Sequence, residues 1–321
     1  MMTIKIRVVL AIATLFLVGS PTRGFGHGTP ITVNVVAGKL SISGALLDDR
    51  GYVDKVFADP DEEAAFSPGP NNRLIAALPG FEVFDLSAGQ QLWIEVLARP
   101  DFTKPAMPAR WLWFSDSTGN TVADVPAALK LDLSSSRGFT PSVSLFQSPT
   151  PAVGAVKLAD LLSSDIGAHK HLLNYILNDA GAAVGAYGFF ARLTSPDFLS
   201  SDPFLLTLNN GLDAETFQKG AKRINAAARL PGDYDGDEDV DGGDLLAWQR
   251  TLGSTAALAA DGSINDVVDG ADLGVWRDNF GQMTPASTPA AGAIPEPSSL
   301  VLAIFVGGLL AAARQCDSKI A

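Results

Sequence analysis

The sequence predicts a mainly β protein: a β-sandwich domain followed by a small all-α module built on paired calcium loops. Three observations predict it. Residues 31 to about 210 carry short runs rich in Val, Ile, Leu and aromatic residues, separated by Gly, Pro, Asn and Asp. Residues 231–282 hold twelve Asp/Glu against two basic residues, Arg250 and Arg277, so −10 of the net charge of −12 sits there. That acidic segment also repeats itself at an offset of 28 residues, which a chance acidic run does not do. With 321 residues, 47% of them apolar, the chain can bury a real core. Its acidity excludes a nucleic-acid partner, because phosphate binding needs a Lys/Arg excess on one face. Cys316 is the single cysteine, so no intrachain disulfide forms and stability must come from core burial and metal.

The N-terminus, 1–26, reads as a signal peptide. Lys5 and Arg7 precede an apolar run over 8–19, and small residues follow to Gly26. Pro21 and the glycines at 24, 26 and 28 stop a helix there. Cleavage after Gly26 would make His27 the mature N-terminus.

The sandwich is expected over 27–212. An alternating hairpin is read at 31–36 and 39–43 around Ala37-Gly38. Further strands are expected at 91–97, 110–114, 129–133, 142–146, 171–177, 186–194 and 204–208. Asp213 then opens an amphipathic helix reaching about Leu230, with Phe217, Ala221, Ile224 and Ala228 on one face, which connects the sandwich to the acidic module.

In that module, 231–282, Asp233, Asp235, Asp237, Asp241 and Asp244 occupy positions 1, 3, 5, 9 and 12 of a twelve-residue loop, and Asp239 at position 7 offers its backbone carbonyl. Hard oxygen ligands at this alternation suit calcium, because the chain wraps the ion and every second residue points inward. The second loop places Asp261, Ser263, Asn265, Val267, Asp269 and Asp272 at the same positions. Each loop is followed by a helical run, and the offset carries Val240 onto Val268, Trp248 onto Trp276 and Gly253 onto Gly281. Two calcium ions are expected, the second bound more weakly because Ser263 and Asn265 are uncharged.

These 50 or so residues resemble a type I dockerin, whose two calcium loops each end in Asp at position 12 and lead into a helix. The resemblance implies a cohesin-like partner or self-association. Two departures stand out. Position 6, usually glycine, is Glu238 and Asp266, and positions 10 and 11 are Gly242, Gly243, Gly270 and Ala271 rather than partner-reading Ser/Thr. The latter favour a calcium-folded spacer or self-associating module at least as much as a cohesin-binding one.

A Pro/Ala/Ser/Thr linker (283–293) leads to Pro295-Glu296-Pro297, an apolar stretch over 300–313, and then Arg314 and Lys319. This tail, 294–321, resembles the PEP-CTERM sorting signal. The resemblance implies a cell-envelope, outer-surface or extracellular-matrix location, an exopolysaccharide setting and cleavage by a sorting enzyme. The apolar run is shorter than the roughly 20 residues that span a bilayer, so a transient signal is favoured over a permanent transmembrane tail.

Only three histidines exist: His27, His169 and His171. In a strand the last two share a face about 7 Å apart. Two same-face imidazoles joined by a third make a candidate zinc or copper site. Gly26-His27-Gly28, Gly167-Ala-His169-Lys-His171 and Ala186-Tyr187 resemble the surface-anchored repeat domain of actinobacterial wall proteins and planctomycete exported proteins, which implies metal handling.

For catalysis the sequence offers little. It has no G-x-S-x-G elbow, no P-loop and no plausible cysteine nucleophile. Glu82 with Glu95, or Asp61, Glu62 and Glu63, are the carboxylates available to a glycosidase, and Trp93, Trp111 and Trp113 have the faces to stack on sugars or to fill a core. The leading expectation is an exported, non-enzymatic envelope or matrix protein. One alternative is a copper-dependent oxidative polysaccharide-cleaving enzyme, in which mature His27 joins His169 or His171 and Tyr175 or Tyr187 lies axial. The other is a carbohydrate- or cohesin-binding scaffold component.

Overall fold

The computed structural model describes residues 30–44, 51–58, 65–76, 79–148, 154–256 and 258–284. The signal peptide, His27, the carboxylates at 61–63 and the tail with Pro295, Glu296 and Pro297 lie outside the described residues. Among the described residues no helix is long and apolar enough to cross a membrane.

The protein is mainly β. In chain order the strands are β1 (Ile31–Val36), β2 (Lys39–Ser43), β3 (Val56–Phe57), β4 (Ser67–Gly69), β5 (Arg73–Ala76), β6 (Phe81–Val83), β7 (Gln91–Leu97), β8 (Arg99–Pro100) and β9 (Ala109–Arg110). They continue as β10 (Trp113–Ser115), β11 (Leu131–Ser135), β12 (Val143–Leu145), β13 (Ala155–Asp160), β14 (His169–Lys170), β15 (Leu173–Leu177), β16 (Gly185–Thr194) and β17 (Phe204–Asn210). Among the described residues three helices follow: α1 (Ala214–Ala227), α2 (Gly242–Thr251) and α3 (Gly270–Asn279).

One sheet runs β14-β6-β1-β2, a second β13-β7-β16-β17-β3 with β10 also on β16, and a third β12-β11-β15-β5-β4; β8 and β9 form a separate ribbon. Most pairs are antiparallel, but β1 with β6 and β17 with β3 run parallel, so the sheets are mixed. The three sheets share one apolar core. On β7, Leu92, Ile94 and Val96 enter it while Gln91, Trp93 and Glu95 alternate away, the period of two that a half-buried strand requires.

The middle of the second sheet is buried on both faces. Tyr187, Phe189, Ala191 and Leu193 of β16 enter the main core, whereas Ala186 and Phe190 face a second cluster closed by Phe217, Ala221 and Ile224 of α1. The helix is therefore a third layer rather than a bare connector. It starts at Asp213, whose carboxylate accepts the Thr216 N–H at 2.9 Å, and ends at Ala227 rather than near Leu230.

Two expected strands prove to be split. The run 110–114 divides between β9, which pairs with β8, and β10, which pairs with β16. The run 171–177 is a strand only from Leu173, as β15 on β11 and β5, and the histidine segment just before it is cut off as β14 (His169–Lys170), which pairs with β6. In both cases the chain changes sheets at an apolar step that periodicity cannot distinguish from a continuous strand.

Candidate calcium loops and histidine pair

The local sequence builds each loop on its helix cap. Asp241 caps α2 by accepting from the Gly243 N–H at 2.6 Å, and Asp244 reaches back to the Asp241 N–H at 2.8 Å. Asp269 and Asp272 do the same for α3, at 2.7 Å each. Loop positions 9 and 12 are thus also the two halves of a capping box.

Position 12 closes the loop. Asp244 Oδ1 accepts from the N–H groups of Tyr234 and Asp235, and Asp272 Oδ1 from that of Ser263 at 2.9 Å. Position 1 folds the start: Asp233 accepts from Gly236 and Glu238 N–H at 2.7 and 3.2 Å, and Asp261 from Asn265 and Asp266 at 3.1 and 2.9 Å. Asp233, Asp244, Asp261 and Asp272 are all buried.

In the first loop, carboxylate oxygens of Asp233, Asp235 and Asp237 lie within 4.8 Å of one another, and so do those of Asp239, Asp241 and Asp244. Among the described residues no such trio forms in the second loop, where Ser263 and Asn265 replace two carboxylates. The donor set is all oxygen and clustered around buried carboxylates, which fits a hard cation.

The two repeats complete each other. Trp248 Nε1 donates to Asp269 O at 2.8 Å, and Trp276 Nε1 donates to Asp241 O at the same distance. The Val240 N–H donates to Gln282 O and the Gly281 N–H to Val240 O; 28 residues on, Val268 pairs in the same way with Ser254 and Gly253. Each loop is therefore fastened to the exit of the other repeat's helix. Tyr234, Leu258, Ala260 and Val268 make the small core between them. The duplicated tryptophans were visible in the sequence as a repeat; their hydrogen-bonding role appears only in the pairing.

Burial pushes Asp233 up to about 6, against the lowering effect of Arg229, and burial followed by the charges of Asp244 and Asp237 raises Asp235. A folded-state value above the unfolded one means that the native state binds the proton more tightly. Without calcium, the module is therefore expected to gain stability as pH falls from 7 through about 6 toward 4. With calcium, the same acidification protonates ligands and expels the ion, so stability should fall. Urea unfolding at pH 7 and pH 5, in calcium and in chelator, checks this crossing of signs.

The histidines meet differently from expectation. His171 lies beyond β14, yet its ring packs edge-on against that of His169 with centroids 5.0 Å apart. His169 faces Glu82 across the β14–β6 pair, and Gly80 leaves the space its ring occupies, since a Cβ there would sit 2.4 Å from the ring. The two tyrosines offered as axial ligands are core residues: Tyr175 Oη donates to Pro79 O at 3.4 Å and Tyr187 Oη to Ala183 O at 2.8 Å. Trp113 is fully buried, in edge contact with Phe190, while Trp93 is half-buried on the outward side of β7. Glu95 pairs with Arg192 at 2.7 Å.

No family model matches the chain, and no curated protein matches it significantly in sequence.

Proposed function

We propose that the chain is an exported, non-enzymatic envelope or matrix protein in which a β-sandwich carries a calcium-folded, dockerin-like module. One observation carries the reading: six aspartates of the first loop bring their oxygens into two trios within 4.8 Å, on a scaffold that a second repeat completes. Six like charges packed this closely around buried Asp233 and Asp244 repel one another unless a cation sits among them. The module's core is also too small to hold it folded without help.

The test is thermal unfolding in calcium and in chelator. Free calcium at 100 times Kd contributes about 2.7 kcal/mol per site, so the module's transition should rise by about 10 °C or more, while the β domain's transition stays. Equal melting in both buffers would overturn the reading.

A second reading rests on the adjacent rings of His169 and His171, which support a zinc or copper site completed from the N-terminal side. Native mass spectrometry of wild type and His169→Ala with limiting zinc and copper tests it. A metal adduct retained by the variant would remove the site.

A further inference from the structure

The departures from glycine in the calcium loops all fall in the left-handed region. Position 6 is Glu238 at φ 74° and Asp266 at φ 67°; position 4 is Gly236 at φ 83° but Ile264 at φ 58° in the second loop. A non-glycine residue there is strained, and a β-branched one is a pronounced outlier. Strain of this kind persists only where the side chain is held by its surroundings.

Glu238 is held at the junction with the β domain, and Ile264 lies at the same junction. Glu238 accepts from Arg99 Nη1 at 3.1 Å through one carboxylate oxygen and from Thr284 Oγ1 at 3.0 Å through the other. Arg99, largely buried, lies 3.6 Å over the Tyr52 ring and donates to Ala228 O at the end of α1. Ile264 shares with Phe102, Arg223, Ala226 and Leu230 the lining of a cavity of about 180 Å3 between module and domain. Arg229 crosses the same junction to Ala259 O at 2.9 Å. Two of the three loop positions that abandon glycine, Glu238 and Ile264, therefore lie at the interdomain joint.

The first calcium position is mechanically tied to that joint. The N–H of Glu238 donates to Asp233 Oδ2, so one peptide unit carries both the bond to a calcium ligand and the side chain that reaches Arg99. We propose that calcium binding to the first loop and docking of the module on the β domain form one linked equilibrium, transmitted by the Glu238–Arg99 contact. The proposal rests on the calcium reading above. Coupling is reciprocal: an ordered joint tightens calcium binding at this loop, and calcium orders the joint. Asp266 occupies position 6 of the second loop, and Arg99 is already engaged by Glu238, so the second ion is not reached through this contact, although Ile264 brings its loop to the same joint.

The test uses the full chain and two variants. Glu238→Gln keeps size and the Thr284 contact, and Arg99→Gln removes the guanidinium. Calcium constants come from chelator competition, and the state of the joint from tryptic cleavage after Arg229. In wild type, calcium should protect that bond. In both variants the tighter constant should weaken about fivefold, the weaker one should change less, and protection should need correspondingly more calcium. Two unchanged constants in both variants, with wild type binding calcium, would overturn the linkage alone. Wild type that binds no calcium would overturn the calcium reading, and the linkage with it.

Discussion

Asp244→Ala is expected to unfold the acidic two-loop module and leave the β domain's own transition standing. The side chain is fully buried and accepts three backbone N–H groups, from Tyr234, Asp235 and Asp241. Alanine leaves those donors without their acceptor, at about 1–3 kcal/mol for each that stays buried. It also removes half of the α2 capping box, worth about 1 kcal/mol, and one of the clustered carboxylates of the loop. The core of Tyr234, Leu258, Ala260 and Val268 is too small to absorb a loss of that order. Asp278→Ala, which removes an exposed carboxylate on α3, should change stability by less than about 0.5 kcal/mol. Calcium-dependent near-ultraviolet circular dichroism of Trp248 and Trp276 reports the module specifically, since both indoles donate across the repeat. Retention of that signal by Asp244→Ala would show that position 12 does not hold the loop.

The parts legible in the sequence are those governed by local rules. The spacing of Asp233 to Asp244, its repetition at Asp261 to Asp272, and the D-x-x-D capping boxes are each contained in twelve residues, and the structure builds them as loops leading into helices. Strand β7 was legible for the same reason, its alternation being a property of seven consecutive residues. What could not be read depends on distant chain. The run at 171–177 is largely apolar, yet the chain leaves β6 at Lys170 and joins β11 and β5 at Leu173, so the H-x-H spacing does not describe one strand face. β13 escaped notice because its Lys157 and Asp160 dilute the apolar pattern; pairing with β7, through a register shift after Lys157, makes it a strand. Arg99 carried no signal at all, since its partners come from three separated segments: Tyr52, Ala228 and Glu238.

Arg110→Met is expected to destabilise the β domain by about 3–5 kcal/mol, the cost of leaving a buried charge without its partner. Arg110 is 1% exposed and Asp101 is 0% exposed. Arg110 Nε donates to Asp101 at 2.7 Å, and Nη2 reaches both Asp101 and Asp124, at 2.6 and 2.7 Å. Lys104, then Arg110 and Gln147, hold Asp124 down to about 2, so this partner is ionised at neutral pH. The network pins the β8–β9 ribbon, whose loop sends the Phe102 N–H to Ala227 O at the end of α1. Releasing the ribbon should therefore also loosen the joint beside the acidic loops, read as faster tryptic cleavage after Arg229. The double variant Asp101→Leu/Arg110→Met removes both charges and should recover much of the lost stability, because a buried pair is worth little against an apolar replacement of similar volume while a broken pair is costly. Thermal unfolding of the single and double variants separates the two effects. If the double variant were no more stable than Arg110→Met, the loss would belong to packing around Trp113, whose ring centre lies 5.5 Å from the guanidinium, and not to the orphaned carboxylate.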